Sequence, residues 1–496
     1  MPHSALDDPA TLFARGNALL EAGATAEAVA AFQACARLAP GHAATRFNLG
    51  NALRAAGRPV EAAEAFLACL ARDPDFAPAC LNLADTLRCL GLLAEAETAA
   101  RTALHRLPLE PAAAFCLANV RHDQGAFDEA ATLYRRGLAR RPDHAGALGS
   151  LGNTLRAQGD LAGSLGAHDR AVALAPEDAD LRFNRATALL AAGDFARGWE
   201  EYEWRWRRRQ AQPRGFRPPW FGEPLDGRTI LLHAEQGLGD TLHFVRYAPL
   251  VATRGGRVVL EVQPPLVRLL REMRGTAVVC ARGEALPRFD LHCPLLSLPA
   301  AFGTRLGTIP AGVPYLRPPD DLLPAAHARL PAASALRVGV AWAGSAHADD
   351  AGAQVIDRRR SLPPAALLPL ARVPGLRLVS LQKHEPDRAP PPPELGLFDP
   401  MAGISDMADT AALIAQLDMV VSADTAVAHL AGAMGVPVAL LSRSDSCWRW
   451  LQDRDDSPWY PTLRLYRQPS PGDWATPVAR VAADLAQRAA RQGRAA

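Results

Sequence analysis

Apolar positions follow one pattern in the first part of the chain and another in the rest. Up to about residue 209 they recur with the period of amphipathic helices, and short breaks separate the helices. From residue 228 onward, short apolar runs alternate with helical segments, as in a parallel sheet covered by helices. The pattern therefore predicts an array of helices followed by an α/β region.

The helical part repeats every 34 residues. Glycines recur at positions 23, 57, 91, 125, 159 and 193, and prolines at 40, 74, 108, 142 and 176. Each unit is predicted to be two helices, with glycine ending the first and proline stopping the second. Such a unit resembles the tetratricopeptide repeat, over about six units between Pro9 and Arg209. One unit cannot bury its apolar face alone, so we expect an α-solenoid with a concave groove.

Asparagines recur along the first helices of these units. One row, in register with Asp85, consists of Asn17, Asn51, Asn119 and Asn153, and a second consists of Asn48, Asn82 and Asn184. Asparagine can hold a peptide backbone because it offers a donor and an acceptor together. The solenoid of O-GlcNAc transferases looks similar, so we expect Asn51, Asn119 and Asn153 to line a groove for a protein or peptide. The alternative is that asparagine is simply common at these helix positions.

The sixth unit ends in an aromatic segment, WEEYEWRW over residues 199–206. We expect this unit to cap the solenoid and to pack onto the next domain, with Trp204 and Trp206 in the contact. Prolines interrupt the helical period over residues 210–227, which predicts a linker after the solenoid of residues 1–209.

The α/β region is predicted to form two lobes, 228–331 and 332–496, with a helix at the carboxyl end. In the first lobe an apolar strand ending at His233 runs into the turn Gly237-Leu-Gly239-Asp240 and then a helix. A turn of this kind opens a ligand site at the carboxyl end of a sheet. Asp240 either projects into that site or only caps the helix, and the segment alone leaves both explanations open.

A second candidate site follows a strand of the second lobe. Asp424 and Thr425 begin a helix that Gly435 and Pro437 end, and His429 lies one turn after Thr425. The free N–H groups and dipole of such a helix favour a phosphate. The alternative is a capped helix with a core histidine, which the spacing alone favours.

The α/β region resembles the family 9 glycosyltransferases, the bacterial lipopolysaccharide heptosyltransferases, which have the GT-B fold of two Rossmann-like lobes. The resemblance covers residues 228–475 and includes the subgroup that carries tetratricopeptide repeats. Its matching segments are Gly237–Asp240, Ala341–Gly344, Ser380–Lys383, Asp424–His429, Trp448–Trp450, Asp456–Pro461 and Gly472–Trp474.

The resemblance implies roles for single residues. Asp240 corresponds to the catalytic base, and the donor nucleotide is expected against Asp424, Thr425 and His429. The predicted loops add further nucleotide-sugar contacts, namely Gly237, Gly239, Gly344 and Ser345. Arg360 and Lys383 are our candidates for neutralising the diphosphate, because this family typically uses no metal. The family usually has asparagine where Ser345 stands, and residues 442–446 replace a more apolar loop, so both departures bear on donor choice.

Composition adds limits to this picture. A length of 496 residues exceeds one core, and a net charge of +2 gives no reason to expect nucleic-acid binding. The eight cysteines form no CxxC or His-paired metal spacing, which is typical of buried thiols in a reducing compartment. No signal peptide or apolar span stands out. We therefore expect a cytoplasmic protein without metal or cofactor.

Three functions are compatible with these features. The first is an inverting glycosyltransferase whose solenoid recruits a protein or peptide acceptor, with a nucleotide-diphosphate sugar as donor. The second is a tetratricopeptide scaffold whose glycosyltransferase-like domain is inactive. The third is an enzyme with a glycan acceptor, in which the solenoid only docks partners.

Overall fold

The repeats form helix pairs in the computed structural model, which describes residues 8–209, 214–216, 218–331, 335–344, 351–384 and 389–492. The chain divides into two units, Met1–Pro176 with Ala348–Val355, and Glu177–His347 with Ile356–Ala496. The described part of the first unit contains α1 (Pro9–Glu21), α2 (Thr25–Leu38), α3 (Ala43–Ala55), α4 (Pro59–Leu70), α5 (Ala77–Cys89), α6 (Leu93–Arg106), α7 (Pro111–Asp123), α8 (Phe127–Leu138), α9 (Ala145–Gln158) and α10 (Leu161–Leu174).

The predicted punctuation of the repeats is confirmed. The glycine after the first helix of each pair adopts a left-handed backbone, as in Gly57 with φ of 73° and Gly159 with φ of 90°. A side chain is strained in this conformation, so glycine ends the helix at low cost.

Small and large residues alternate between the paired helices. A Cβ on Gly50 would lie only 2.5 Å from Phe66, and one on Gly152 only 2.7 Å from His168. Phe66 is 0% exposed, so its ring has no space to retreat into. The close approach of the two helices therefore depends on glycine.

The second unit begins with the sixth helix pair, α11 (Ala179–Ala191) and α12 (Phe195–Tyr202), followed by a 3-10 turn, Glu203–Arg207. The predicted packing onto the α/β region is confirmed, but through other residues. Trp199 contacts Trp448 at 5.2 Å between ring centroids, and Phe195 stacks on Trp459 at 6.1 Å. Trp204 instead lies between Arg182 and Arg207, at 4.3 and 4.2 Å from the two guanidinium carbons. The apolar side of α12 supplies the contact, because Phe195 and Trp199 share one helix face.

Four parallel strands form the first sheet, in the order β3-β2-β1-β4. They are β1 (Thr229–His233), β2 (Arg257–Val262), β3 (Val278–Ala281) and β4 (Leu291–Pro294). The helices of this lobe are α13 (Leu238–Phe244), α14 (Ala248–Ala252), α15 (Val267–Leu270) and α16 (Leu298–Ala301). The next helix, α17 (Leu323–Arg329), contacts the second lobe, where His327 Nδ1 lies 3.2 Å from Gln416 Oε1. Strand order reverses between β1 and β4, and a ligand cleft opens at such a point.

The second sheet has five parallel strands in the order β6-β5-β7-β8-β9. They are β5 (Leu336–Ala341), β6 (Leu376–Ser380), β7 (Met419–Ala423), β8 (Val438–Ser442) and β9 (Leu463–Arg467). The helices are α18 (Ala351–Arg360), α19 (Leu368–Ala371), α20 (Met407–Ile414), α21 (Ala426–Ala433) and α22 (Ala475–Gln492). The reversal lies between β5 and β7, so the loop Asp424–Thr425 leaves the sheet at its switch point.

The described part of the predicted linker is ordered against the first sheet. Pro219 forms a parallel bridge with His292 of β4, and the Trp220 N–H donates to the His292 carbonyl at 2.8 Å. Trp220 and Leu225 are buried. Residues 218–220 thus lie alongside β4, at the edge of the first sheet. Residues 210–213 and 217 lie outside the described residues.

No helix among the described residues is long and apolar enough to cross a membrane.

Candidate functional site

Asp240 lies in the first turn of α13, with one carboxylate oxygen toward each of two partners. Its Oδ2 accepts a hydrogen bond from the Gly237 N–H at 3.1 Å, which is the capping contact. Its Oδ1 accepts from the guanidinium of Arg449, a residue of the second lobe. Asp240 therefore caps its helix and also joins the two lobes.

Arg449 is almost fully enclosed, at 8% exposure. Its guanidinium carbon lies 4.3 Å from the centre of the Trp448 ring, and Nη1 donates to Cys447 Sγ at 3.2 Å. Burial alone would lower the pKa of Arg449, but Cys447, Asp240 and Tyr202 outweigh it and raise that pKa above its ordinary value. The guanidinium thus remains charged opposite Asp240.

The loop before α21 is fixed by side-chain hydrogen bonds. Thr425 is the N-cap residue, and its hydroxyl pairs with that of Ser422 at 3.1 Å. Asp424 Oδ2 accepts from the indole N–H of Trp450 at 2.9 Å. Asp424 therefore holds the loop at the start of α21.

His429 is buried among aromatic rings, at 6% exposure. It stacks on Trp450 with 5.4 Å between ring centroids, and its Nδ1 pairs with the Tyr460 hydroxyl at 2.9 Å. Burial lowers its pKa to about 4, although Asp424 acts in the opposite direction. The ring is therefore neutral near pH 7 and adds no positive charge to a phosphate site.

The turn Gly237–Asp240 of the first lobe contacts the start of α21 in the second lobe. A Cβ on Gly239 would lie 3.0 Å from His429 Cδ2 and 3.6 Å from the Ala426 Cα. His243 of α13 and His429 of α21 also share the hydroxyl of Tyr460, at 3.0 and 2.9 Å. The structure thus brings together Gly237, Gly239 and Asp240 with Asp424, Thr425 and His429.

The predicted basic residues lie at the ends of β5 and β6. The Arg360 guanidinium occupies the space where a Gly344 side chain would be, and its Nε donates to Asp357 at 3.0 Å. Lys383 follows β6 and is exposed. Gln382 beside it accepts from the N–H groups of Trp342 and Ala343, at 3.1 and 2.9 Å, which ties the two strand ends together. Ser345 lies outside the described residues.

The two asparagine rows contact each other between neighbouring repeats. Asn82 Nδ2 donates to Asn51 Oδ1 at 2.7 Å, and Asn48 donates to Asn17 at the same distance. The Asn119 side-chain oxygen accepts from the hydroxyl of Tyr134, and Asn153 is partly buried at the equivalent position. The rows therefore orient one another, and their contact with a peptide remains a prediction.

Two protein-family models match separate parts of the chain. The tetratricopeptide-repeat model matches residues 13–75, 81–145 and 150–203. The N-terminal helix pairs are tetratricopeptide repeats. The model of glycosyltransferase family 9 (heptosyltransferase) matches residues 399–448. That segment contains Asp424, Thr425 and His429, whereas Asp240 lies outside it.

Individual proteins resemble this tetratricopeptide-repeat chain over parts of its length. Protein FlbA of Caulobacter vibrioides is 30% identical over 332 residues, which are 59% of this chain and 52% of FlbA. This chain thus spans about half the length of that relative.

Two solved repeat proteins also match. One from Parabacteroides merdae is 19% identical, with a TM-score of 0.37, over 41% of this chain and 80% of its own. Another, from Thermus thermophilus, is 22% identical, with a TM-score of 0.32, over 37% of this chain and 99% of its own.

Sequence analysis missed Arg449 and Tyr460 as parts of the site. Both lie in segments noted only as matching the glycosyltransferases, Trp448–Trp450 and Asp456–Pro461. A single arginine between two tryptophans was a usable signal, because a guanidinium flanked by rings is commonly buried and paired with a carboxylate.

Proposed function

We propose that the chain is an inverting, metal-independent glycosyltransferase that moves a sugar from a nucleotide-diphosphate donor to an acceptor recruited by its repeats. One observation carries the proposal. The start of α21 at Thr425 is suited to a diphosphate, and it packs against the first turn of α13, which bears Asp240: a Cβ on Gly239 would lie 3.6 Å from the Ala426 Cα. The family 9 match over residues 399–448 supports a transferase.

The donor diphosphate is assigned to the amino end of α21. The backbone N–H groups there and the helix dipole favour negative charge. Arg360 lies against Gly344, which follows β5, and Lys383 follows β6, the next strand of the sheet; both would add positive charge as the diphosphate leaves. His429 is neutral at this position, so its part is to pack the helix rather than to neutralise the phosphate.

Asp240 is assigned the role of general base. The acceptor oxygen forms a bond to the anomeric carbon while the bond from that carbon to the diphosphate oxygen breaks. The acceptor proton passes to the Asp240 carboxylate, and the diphosphate leaves with the bonding electrons. Because Arg449 contacts the carboxylate, the acceptor hydroxyl has to approach the oxygen from the side that Arg449 leaves open or displace it.

The acceptor is assigned to the repeat groove. Asn51, Asn119 and Asn153 occupy the same position of three repeats, with Asp85 at that position in the repeat between Asn51 and Asn119, and their amides can contact an extended backbone. A protein or peptide therefore fits the rows better than a glycan.

A scaffold without activity is the second candidate. The observation in its favour is that Gly237 and Arg449 occupy both Asp240 oxygens, as expected of a structural carboxylate.

A thermal-shift screen with nucleoside diphosphates tests the site that the enzyme requires. A ligand at 100 times its dissociation constant stabilises a protein by about 2.7 kcal/mol. We expect at least one nucleoside diphosphate to raise the melting temperature, and to be released from its sugar nucleotide on incubation. Binding without any release across common sugar nucleotides would favour the scaffold, and no binding would exclude the donor site.

A further inference from the structure

The sixth repeat reaches the surroundings of Asp240 from two directions. We propose that α12 and the 3-10 turn Glu203–Arg207 position Asp240, through Glu235 on one side and Trp448–Arg449 on the other. The sixth repeat would then be a wall of the active site as well as the end of the solenoid. This inference rests on the proposed role of Asp240 as the base.

The first connection is a buried ion pair. Arg205 Nε and Nη2 donate to the two oxygens of Glu235 at 2.8 and 3.0 Å, and Nη2 also donates to Ser297 Oγ at 2.7 Å. The side chains of Arg205 and Glu235 are only 5% and 9% exposed. Glu235 lies two residues before Gly237, whose N–H binds Asp240. A bidentate pair restricts this loop in direction as well as distance.

The second connection is aromatic. Trp199, 2% exposed, meets Trp448 edge to face at 5.2 Å, and Tyr202 meets the same ring at 6.2 Å. The Arg449 guanidinium also packs over the Trp448 ring, with its carbon 4.3 Å from the ring centre. Burial raises the pKa of Tyr202 to about 12, so its ring is neutral beside Arg449.

The two connections converge on one carboxylate. Glu235 fixes the loop that caps Asp240 at Oδ2, and Trp448 fixes the arginine that binds Oδ1. A buried charge pair tolerates little displacement, because either partner alone is costly to bury. Shifting the sixth repeat should therefore shift Asp240.

The test uses Arg205→Lys in the full chain. Lysine keeps the charge but cannot form the bidentate contact. The matched control is Arg207→Lys, because Arg207 lies in the same turn but is exposed, over the Trp204 ring at 4.2 Å. Trp199→Phe perturbs the second connection and replaces Arg205→Lys if that variant does not fold by circular dichroism.

The first measurement does not need activity. Carbodiimide with an amine labels accessible carboxyl groups, and mass spectrometry reports the rate at Asp240. We expect Arg205→Lys or Trp199→Phe to raise that rate by roughly tenfold, the effect of losing one charge-assisted contact. Arg207→Lys should leave it unchanged. If Asp240 is labelled at the same rate in the parent, in Arg207→Lys and in the Arg205→Lys or Trp199→Phe variant, the inference is overturned, whether or not the protein is an enzyme.

The second measurement is turnover. Arg205→Lys should lower kcat with little change in the KM for the donor, and should have no further effect in an Asp240→Asn background. Additive losses would show that the sixth repeat does not act through Asp240. If Asp240 labelling changes but no protein turns over a donor, the positioning stands and the proposed function fails.

Discussion

Burial decides the charge of the histidine at position 429. The resemblance to the glycosyltransferases predicts that His429 lies against the donor nucleotide, whereas the spacing alone favours a core histidine. The structure encloses the ring between Trp450 and Tyr460, and its pKa falls to about 4. His429 therefore contributes through packing, as the core-histidine alternative predicts.

Acid stability tests this environment of His429. The folded pKa lies below the unfolded value of 6.5, so the unfolded state binds the proton more strongly. The contribution of neutral His429 to the free energy of unfolding is complete above about pH 6.5. It is lost as the pH falls toward 4, and the total loss is roughly 3 kcal/mol. His429→Gln should flatten the pH dependence of the free energy of unfolding over this window, measured by urea titration. An unchanged slope would show that His429 is not the titrating group.

The single lysine of the chain is a second residue with a defined expectation. Lys383 is the only lysine in the sequence, and it is exposed after β6, in the sheet whose strand β7 leads into the site assigned to the diphosphate. Lys383→Ala should weaken nucleoside diphosphate binding by roughly tenfold or more, because a charge-assisted contact is worth about 1.5–3 kcal/mol.

Calorimetry measures the affinity, with Arg377→Ala as the control because Arg377 is exposed at the start of the same strand. Amine acylation gives an independent measure of binding. Lys383 is the only side-chain amine of the sequence, so a diphosphate bound to it should slow its acylation. Equal affinity in Lys383→Ala and the parent would place the phosphate elsewhere.

At the scale of elements, helix pairing depends on glycines that face large side chains. Gly50 lies against the buried ring of Phe66, and a methyl group there would come within 2.5 Å of it. The ring cannot move aside, because it is fully buried.

Gly50→Ala should therefore lower the stability of the repeats by about 1–3 kcal/mol, as other overpacked cores do. Gly41→Ala is the matched control, since nothing lies within 4 Å of its added Cβ. The melting temperature should fall only for Gly50→Ala. Equal melting temperatures would mean that the helices separate without cost.

The sequence predicted the helix pairs and several strands from local patterns. The 34-residue period gave all the helix pairs, and the apolar run before His233 gave β1, because helix and strand periods are local properties. Strand β4 escaped notice because it has only four residues and ends in proline. The pair of Asp240 with Arg449 was also missed, since it joins residues 209 apart and no local pattern encodes that contact.

At the scale of the second unit, the two lobes and the sixth repeat converge on one carboxylate. Gly237 and Arg449 bind it, and Trp199 and Arg205 support those partners. A structural joint and a catalytic base make different demands on this group. A carboxylate that only connects the lobes needs its charge and its hydrogen bonds, whereas a catalytic base must also accept a proton.

Turnover of Asp240→Asn separates these two roles. The side-chain oxygen of asparagine can still accept the hydrogen bond from the Gly237 N–H, but the amide accepts no proton from an acceptor hydroxyl. It also leaves Arg449 without its carboxylate, so some loss of stability is expected in either role. Nucleoside diphosphate affinity, set by the second lobe, should change little and serves as the control for folding.

The decisive measurement is nucleotide release by the parent and by Asp240→Asn, with acceptor or by slow donor hydrolysis. If Asp240 is the base, the parent releases nucleotide and the variant is slower by at least about 10²-fold, the usual contribution of general base catalysis. The account would be contradicted if Asp240→Asn binds nucleoside diphosphate normally and releases nucleotide from the sugar donor as fast as the parent does.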